Sequence, residues 1–122
     1  MNALNWFEIP VSDFERATAF YERVLNTRLR IDTSFPGMRL AILPSECPGV
    51  GGALFEHPEA RPHGDGVRVY LNGGDDIDPM LARAYDAGGQ IVMPKTHLRD
   101  DIGYIGMFRD SEGNIVGLHS MR

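Results

Sequence analysis

The side chains that could move protons, hold a metal ion or attack an electrophile are few and scattered in this chain. Glu8 stands in the first apolar stretch and His119 in the last. An imidazole titrates near neutrality, and a partly buried carboxylate can be raised toward it, so such a pair can exchange protons with a bound molecule. With Glu56 as a third donor, the same two residues could instead be ligands of a displaced metal site. The bland alternative is a polar wall, with Glu8 satisfied by a local partner. His57 and His63 flank the segment HPEARPH, whose Pro and charge content reads as a solvated loop. His97 follows the run MPKT. Cys47 is the only cysteine, which rules out an intrachain disulfide and a four-cysteine zinc knuckle. It precedes Pro-Gly in a loop, and no base that would activate a thiolate can be read beside it. Gly73-Gly74 is followed by no Lys-Ser/Thr and does not match a phosphate loop.

The elements that must position these residues can be read from periodicity. Leu4 to Val11 reads as a strand with Phe7, Ile9 and Val11 on one face and Trp6 and Glu8 on the other. Ser12-Asp13-Phe14-Glu15 has the form of a capping box. A helix should follow from Asp13 to about Leu25, with Phe14, Ala17, Tyr21, Val24 and Leu25 as its apolar stripe and Asn26 as a left-handed stop. Strands are expected at Leu29–Ile31, Met38–Leu43 and Gly52–Glu56. The segment 57–66 reads as a linker, and then the pattern restarts. Val67–Asn72 is a strand, Asp78-Pro79 opens a helix with the stripe Ile77, Leu81, Ala84 and Tyr85, and Gly88-Gly89 ends it. Gln90–Met93, Tyr104–Arg109 and Ile115–Ser120 are strands, the last two joined through a hairpin turn over Asp110–Asn114.

Each half therefore reads strand, helix, strand, strand, strand. Asp13 and Asp76 near the helix starts, and Asn26 and Gly89 at the helix ends, are separated by the same interval, which marks an internal repeat of a whole supersecondary unit. One half is too small to bury its sheet face well. Two halves together can curl around a shared concave space, where ligand sites tend to form.

Bulk properties narrow the functions. A length of 122 residues fits one domain, here module one over about 1–57, a linker over about 58–65 and module two over about 66–122. The 43% hydrophobic and 24% charged content is that of a soluble globular protein. A net charge of −5 with no cluster of Lys and Arg argues against nucleic-acid partners. No apolar run is long enough to span a bilayer, and no basic-then-apolar N-terminal segment marks a signal peptide, so no membrane partner and a cytoplasmic location are the expectation.

The stretches IPVSDFERATAFYERVL, VYLNGGDDIDPMLARAYDAGGQIVMPKT and IGYIGMFRDSEGNIVGLHS resemble the vicinal-oxygen-chelate superfamily, which includes glyoxalase, bleomycin-resistance and extradiol-dioxygenase proteins. The resemblance covers more than half of the chain. It implies an α+β fold of two βαβββ modules whose sheets cup a cleft, and a homodimer. In metal-using relatives, His, Gln or Glu side chains on the first and last strands of each module hold a divalent ion and leave positions open for substrate oxygens. Carried over by the motif, those seats fall at Trp6, at about Val67, within Gly52–Leu54 and at Gly117. An indole nitrogen has no free lone pair, and valine and glycine side chains offer no donor atom. The resemblance thus points to a ligand-binding cleft with Trp6 as an aromatic wall, lined also by Glu8, Val67, Val69, Gly117, His119 and His97. The loop of relatives that corresponds to Lys95, Thr96, His97 and Arg99 helps close that cleft, and the family pattern turns Val67, Val69 and Leu71 into it.

The reading is a glyoxalase/bleomycin-resistance-like protein that binds a small organic molecule without a cofactor. The alternative is a glyoxalase-type lyase or isomerase using a displaced divalent metal or the Glu8–His119 pair.

Overall fold

The computed structural model describes residues 2–122. In chain order the elements are β1 (Trp6–Pro10), α1 (Phe14–Leu25), β2 (Arg30–Asp32), β3 (Arg39–Ile42), β4 (Gly51–Glu56), β5 (Tyr70–Asn72), α2 (Asp78–Asp86), β6 (Gln90–Arg99), β7 (Gly103–Arg109) and β8 (Ile115–Ser120). They form two four-stranded mixed sheets with the orders β1-β4-β3-β2 and β5-β8-β7-β6, so each half is one βαβββ unit of an α+β fold. In each unit the first strand runs parallel to the last, and the remaining pairs are antiparallel. Among the described residues no helix is long and apolar enough to cross a membrane.

Strand alternation gives each sheet one face for the helices. Ile9, Ala41 and Leu54 of the first sheet and Leu71, Phe108, Val116 and Leu118 of the second meet the buried stripes of α1 and α2 in one hydrophobic cluster. Helix α1 reaches both sheets, because the rings of Phe20 and Tyr21 lie 5.9 and 6.1 Å from that of Phe108 on β7. The two helices touch directly, with Arg83 Nε donating to the Val24 carbonyl at 2.9 Å. Tyr85, expected on the α2 stripe, is 66% exposed, and the inner face of that helix is carried by Leu81 and Ala84.

The cap of α1 differs from the local capping box. Asp13, not Ser12, is the N-cap, and its carboxylate accepts from Arg16 N at 3.0 Å. Glu15 leans away to Arg39 at 2.8 Å. The reach-back role falls to Glu112 in the β7–β8 turn of the other unit, whose Oε1 accepts from Ser12 N, Ser12 Oγ and Asp13 N at 3.0, 3.0 and 2.7 Å. Arg16 Nε completes the clasp at 2.8 Å from Glu112 Oε2. A carboxylate at a helix N-terminus satisfies orphan amides and meets the positive end of the helix dipole.

Two further boundaries depart from the sequence pattern. The strand expected over Val67–Asn72 pairs only over Tyr70–Asn72. The strand expected over Gln90–Met93 continues to Arg99, with register shifts that absorb Pro94.

Candidate functional site

A cavity of about 1000 Å³ opens along the seam between the two units. Its walls are β1 and β5, which are edge strands of their sheets and are not paired to each other. Trp6 and Glu8 stand on the first wall, and Tyr70 and Asn72 on the second; Arg68 and His63 lie at its approach. The floor on the helix side is apolar and includes Leu25, Leu43 and Met80.

On each wall the register sets an aromatic residue across from a glycine. Trp6 of β1 lies directly across from Gly51 of β4, and Tyr70 of β5 directly across from Gly117 of β8. Each aromatic ring covers its glycine. A Cβ built on Gly117 would overlap the Tyr70 ring, and one on Gly51 would come within 3.2 Å of the Trp6 ring. Absence of a side chain at these two positions is what lets the rings lie against the sheet. The first strand of each unit thus supplies a ring that rests on a glycine of the last strand, and β1 supplies a second, because a Cβ on Gly52 would overlap the Phe7 ring. The Trp6 indole N–H donates to Glu8 Oε2 at 3.3 Å, which ties ring and carboxylate together on one face of β1.

Val67, Val69 and Leu71 border the cavity, as do Arg68, Tyr70 and Asn72 between and beside them. Leu71 is buried in the core, and Val69 is partly buried against it. Tyr70 and Asn72 lie on the opposite face of β5 from Leu71 and border the same cavity. Val67 sits at the rim and is 94% exposed. In VRVYLN either set of alternate residues can pack on a helix, so the sequence alone does not select the face; Leu118 opposite Leu71 does.

The other candidate residues are dispersed. His119 Nε2 donates to the Ile102 carbonyl at 2.6 Å, does not line the cavity and shares no hydrogen bond with Glu8. Glu56 is held by Arg39 at 2.6 Å. Arg39 also lies over the Phe14 ring, 4.5 Å from its centroid, and both of its anionic partners raise its pKa, Glu56 most. His97 belongs to β6, the edge strand farthest from β5, where it pairs with Asp100 and tilts against Tyr104. The run Lys95–Arg99 is therefore strand rather than a loop over the cleft, and Lys95 is engaged by Asp76 at 2.9 Å. His57 accepts from Glu59 N and stacks on Phe55, while His63 is the one linker histidine that reaches the cavity. Among the described residues no three His, Cys, Asp or Glu side chains converge to hold a metal ion.

Two edge-to-edge βαβββ units flanking a cleft define the class of protein, and the comparisons give the family. The chain belongs to the Glyoxalase/Bleomycin resistance protein/Dioxygenase superfamily, whose model matches residues 3–118. No curated protein matches the sequence. Among solved structures it is similar to TnmS3, an antibiotic binding protein from Streptomyces sp. CB03234, with TM-score 0.71 and 25% identity over 98% of this chain and 96% of that one. It is also similar to a glyoxalase/bleomycin resistance protein from Streptomyces sp. CB03234, with TM-score 0.70 and 26% identity over 95% and 98% of the two chains. Against the E144Q mutant of glyoxalase I from Zea mays the TM-score is 0.73 at 23% identity, and the match covers 97% of this chain but 46% of the maize chain. That likeness establishes shared fold only.

Proposed function

We propose that this protein binds a small organic molecule in the seam cleft, with the Trp6 ring as a wall where metal-using relatives carry a ligand. The observation that carries the reading is the pair of rings, Trp6 over Gly51 and Tyr70 over Gly117, one on each wall and on the strands from which metal-using relatives supply ligands. A divalent ion does not fit this donor set, because neither ring nor glycine offers a hard oxygen or imidazole donor there. A planar or apolar ligand does fit. Aromatic contacts add about 0.5–1.5 kcal/mol each beyond the area they bury. The likeness to an antibiotic binding protein supports a binding role over a catalytic one.

The lyase or isomerase alternative has weaker support. Glu8 faces the cleft and His119 does not, so the acid/base pair lacks a common substrate position.

Trp6 is the only tryptophan, which makes its emission a local reporter. Titration of the protein with a panel of antibiotics and aromatic metabolites, followed by Trp6 fluorescence and paired with elemental analysis, tests the reading. A saturable change in emission from metal-free protein, abolished in Tyr70→Ala, is expected. One tightly held equivalent of Zn, Ni, Mn or Fe, lost on Glu8→Ala or His119→Ala, would overturn it.

A further inference from the structure

The walls of the cleft are also open backbone edges. Val11 N donates to the Phe55 carbonyl at 3.0 Å, so the residues of β1 that bond to β4 are Phe7, Ile9 and Val11. The Pro10 carbonyl points the other way and accepts from Asn114 Nδ2 at 2.8 Å. By alternation, the N–H and C=O groups of Trp6 and Glu8 turn away from the sheet and into the cleft. The second wall repeats this. Val69 O accepts from Gly117 N at 2.8 Å and Gly73 N donates to His119 O at 2.7 Å, which leaves the N–H and C=O groups of Tyr70 and Asn72 facing the cleft. No backbone hydrogen bond joins β1 to β5 among the described residues.

Exposed edges are usually blunted, and the other long edge here follows that rule. Strand β6 is bulged and carries Pro94 and Lys95. Strand β1 carries a proline only at its last position, Pro10, and β5 is three residues long; both border a cavity with aromatic groups on one side and an apolar floor on the other. The walls also carry opposite charges. Among the described residues Glu8 has no cationic partner and Arg68 no anionic one; the Arg68 guanidinium rests 2.9 Å from Met107 Sδ.

From these observations we infer that the cleft takes its ligand as an extended, amide-bearing chain, a short zwitterionic peptide added as a strand between β1 and β5. This deepens the binding reading above and rests on it. Main-chain groups of Trp6, Glu8, Tyr70 and Asn72 supply the hydrogen bonds, and alternate ligand side chains meet the aromatic pair on one side and the Leu25, Leu43 and Met80 floor on the other. The ligand ammonium lies toward Glu8 and its carboxylate toward Arg68.

The test uses the tripeptide Val-Leu-Val, the same peptide N-methylated at its central residue, its acetyl- and amide-capped form, and the flat probe 8-anilinonaphthalene-1-sulfonate. Binding is read by Trp6 fluorescence and by residue-resolved amide exchange. Val-Leu-Val should slow exchange at the Glu8 and Tyr70 amides, and N-methylation should weaken binding about tenfold, the cost of one unmade hydrogen bond in a dry site. Glu8→Gln and Arg68→Gln should weaken the free tripeptide several-fold and leave the capped one unchanged, as about 1 kcal/mol per charge contact would. Tripeptide binding that bypasses those amides, or that tolerates N-methylation, overturns the strand-addition proposal. So does a cleft that binds the flat probe and no tripeptide, although that result leaves the binding function standing. A Trp6 signal unmoved by either probe counts against both.

Discussion

At the scale of single residues, the strongest constraint is the buried carboxylate of Asp110. It is 5% exposed and accepts from the Tyr21 hydroxyl at 2.6 Å, from Asn114 Nδ2 at 3.1 Å and from the amides of Glu112 and Asn114 at 2.9 Å. Burial raises its pKa and outweighs these bonds, which act to lower it. Tyr21→Phe keeps the ring and removes one donor from a buried charge, so a loss of about 1.5–3 kcal/mol is expected in urea denaturation. Glu112 behaves in the opposite sense. Burial opposes its ionisation, but Arg16, the Asp13 amide, Ser111 and Ser12 together hold it at about 2. A carboxylate depressed in the folded state contributes stability above its unfolded pKa and loses it as pH falls through the folded one. Wild-type stability should therefore fall between about pH 5 and pH 2, and Glu112→Gln should flatten that limb while costing about 1–3 kcal/mol at neutral pH. A pH series of denaturation curves on both proteins checks the sign, since Asp110, raised rather than lowered, loses its contribution as pH rises.

Elements are where neighbouring sequence competes with distant partners. The run SDFE carries a correct helix start, and Asn26 in the left-handed region at φ 54° a correct stop. The identity of the cap is decided by the Glu112 carboxylate, which occupies the amides of Ser12 and Asp13 and frees Asp13 to accept from Arg16. Asp13→Ala should cost about 1 kcal/mol and Ser12→Ala much less, measured as the change in urea midpoint. Strand β6 illustrates the converse. Its central Pro and Lys read locally as a loop, yet pairing with β7 continues from Gln90 to Arg99 because β7 offers a long partner and bulges absorb the misfit. This is why His97 lies at an outer edge rather than over the cleft.

For the molecule as a whole, the two units are joined by more than their linker. Glu112 caps α1 across the seam, Asn114 holds the Pro10 carbonyl, Arg83 holds Val24, and one hydrophobic cluster runs through both helices. Unfolding should then be a single transition. Trp6 emission, which reports the first unit, and far-ultraviolet circular dichroism, which reports both, should share one midpoint in urea. Asn114→Ala removes bonds to Pro10 and to Asp110 at once. It should cost about 1–3 kcal/mol and, by loosening the seam, weaken cleft ligands more than Ser12→Ala does.

The amino-acid sequence by itself determined the repeat, the kind and order of most elements, and the chemistry of the cleft's first wall. The first two follow from apolar periodicity and from turn residues such as Asn26 and Gly113, which act within a few residues of chain, and the third from the family resemblance, which sets the Trp6 indole where metal-using relatives carry a ligand. Tertiary structure alone decided that Tyr70 lies over Gly117, that Glu112 rather than Glu15 completes the helix cap, and that His119 turns to the Ile102 carbonyl instead of Glu8. Each of these depends on which strand or turn lies opposite, a partner remote in the chain that sits in the same unit for Tyr70 and His119 and across the seam for Glu112, beyond the reach of local pattern.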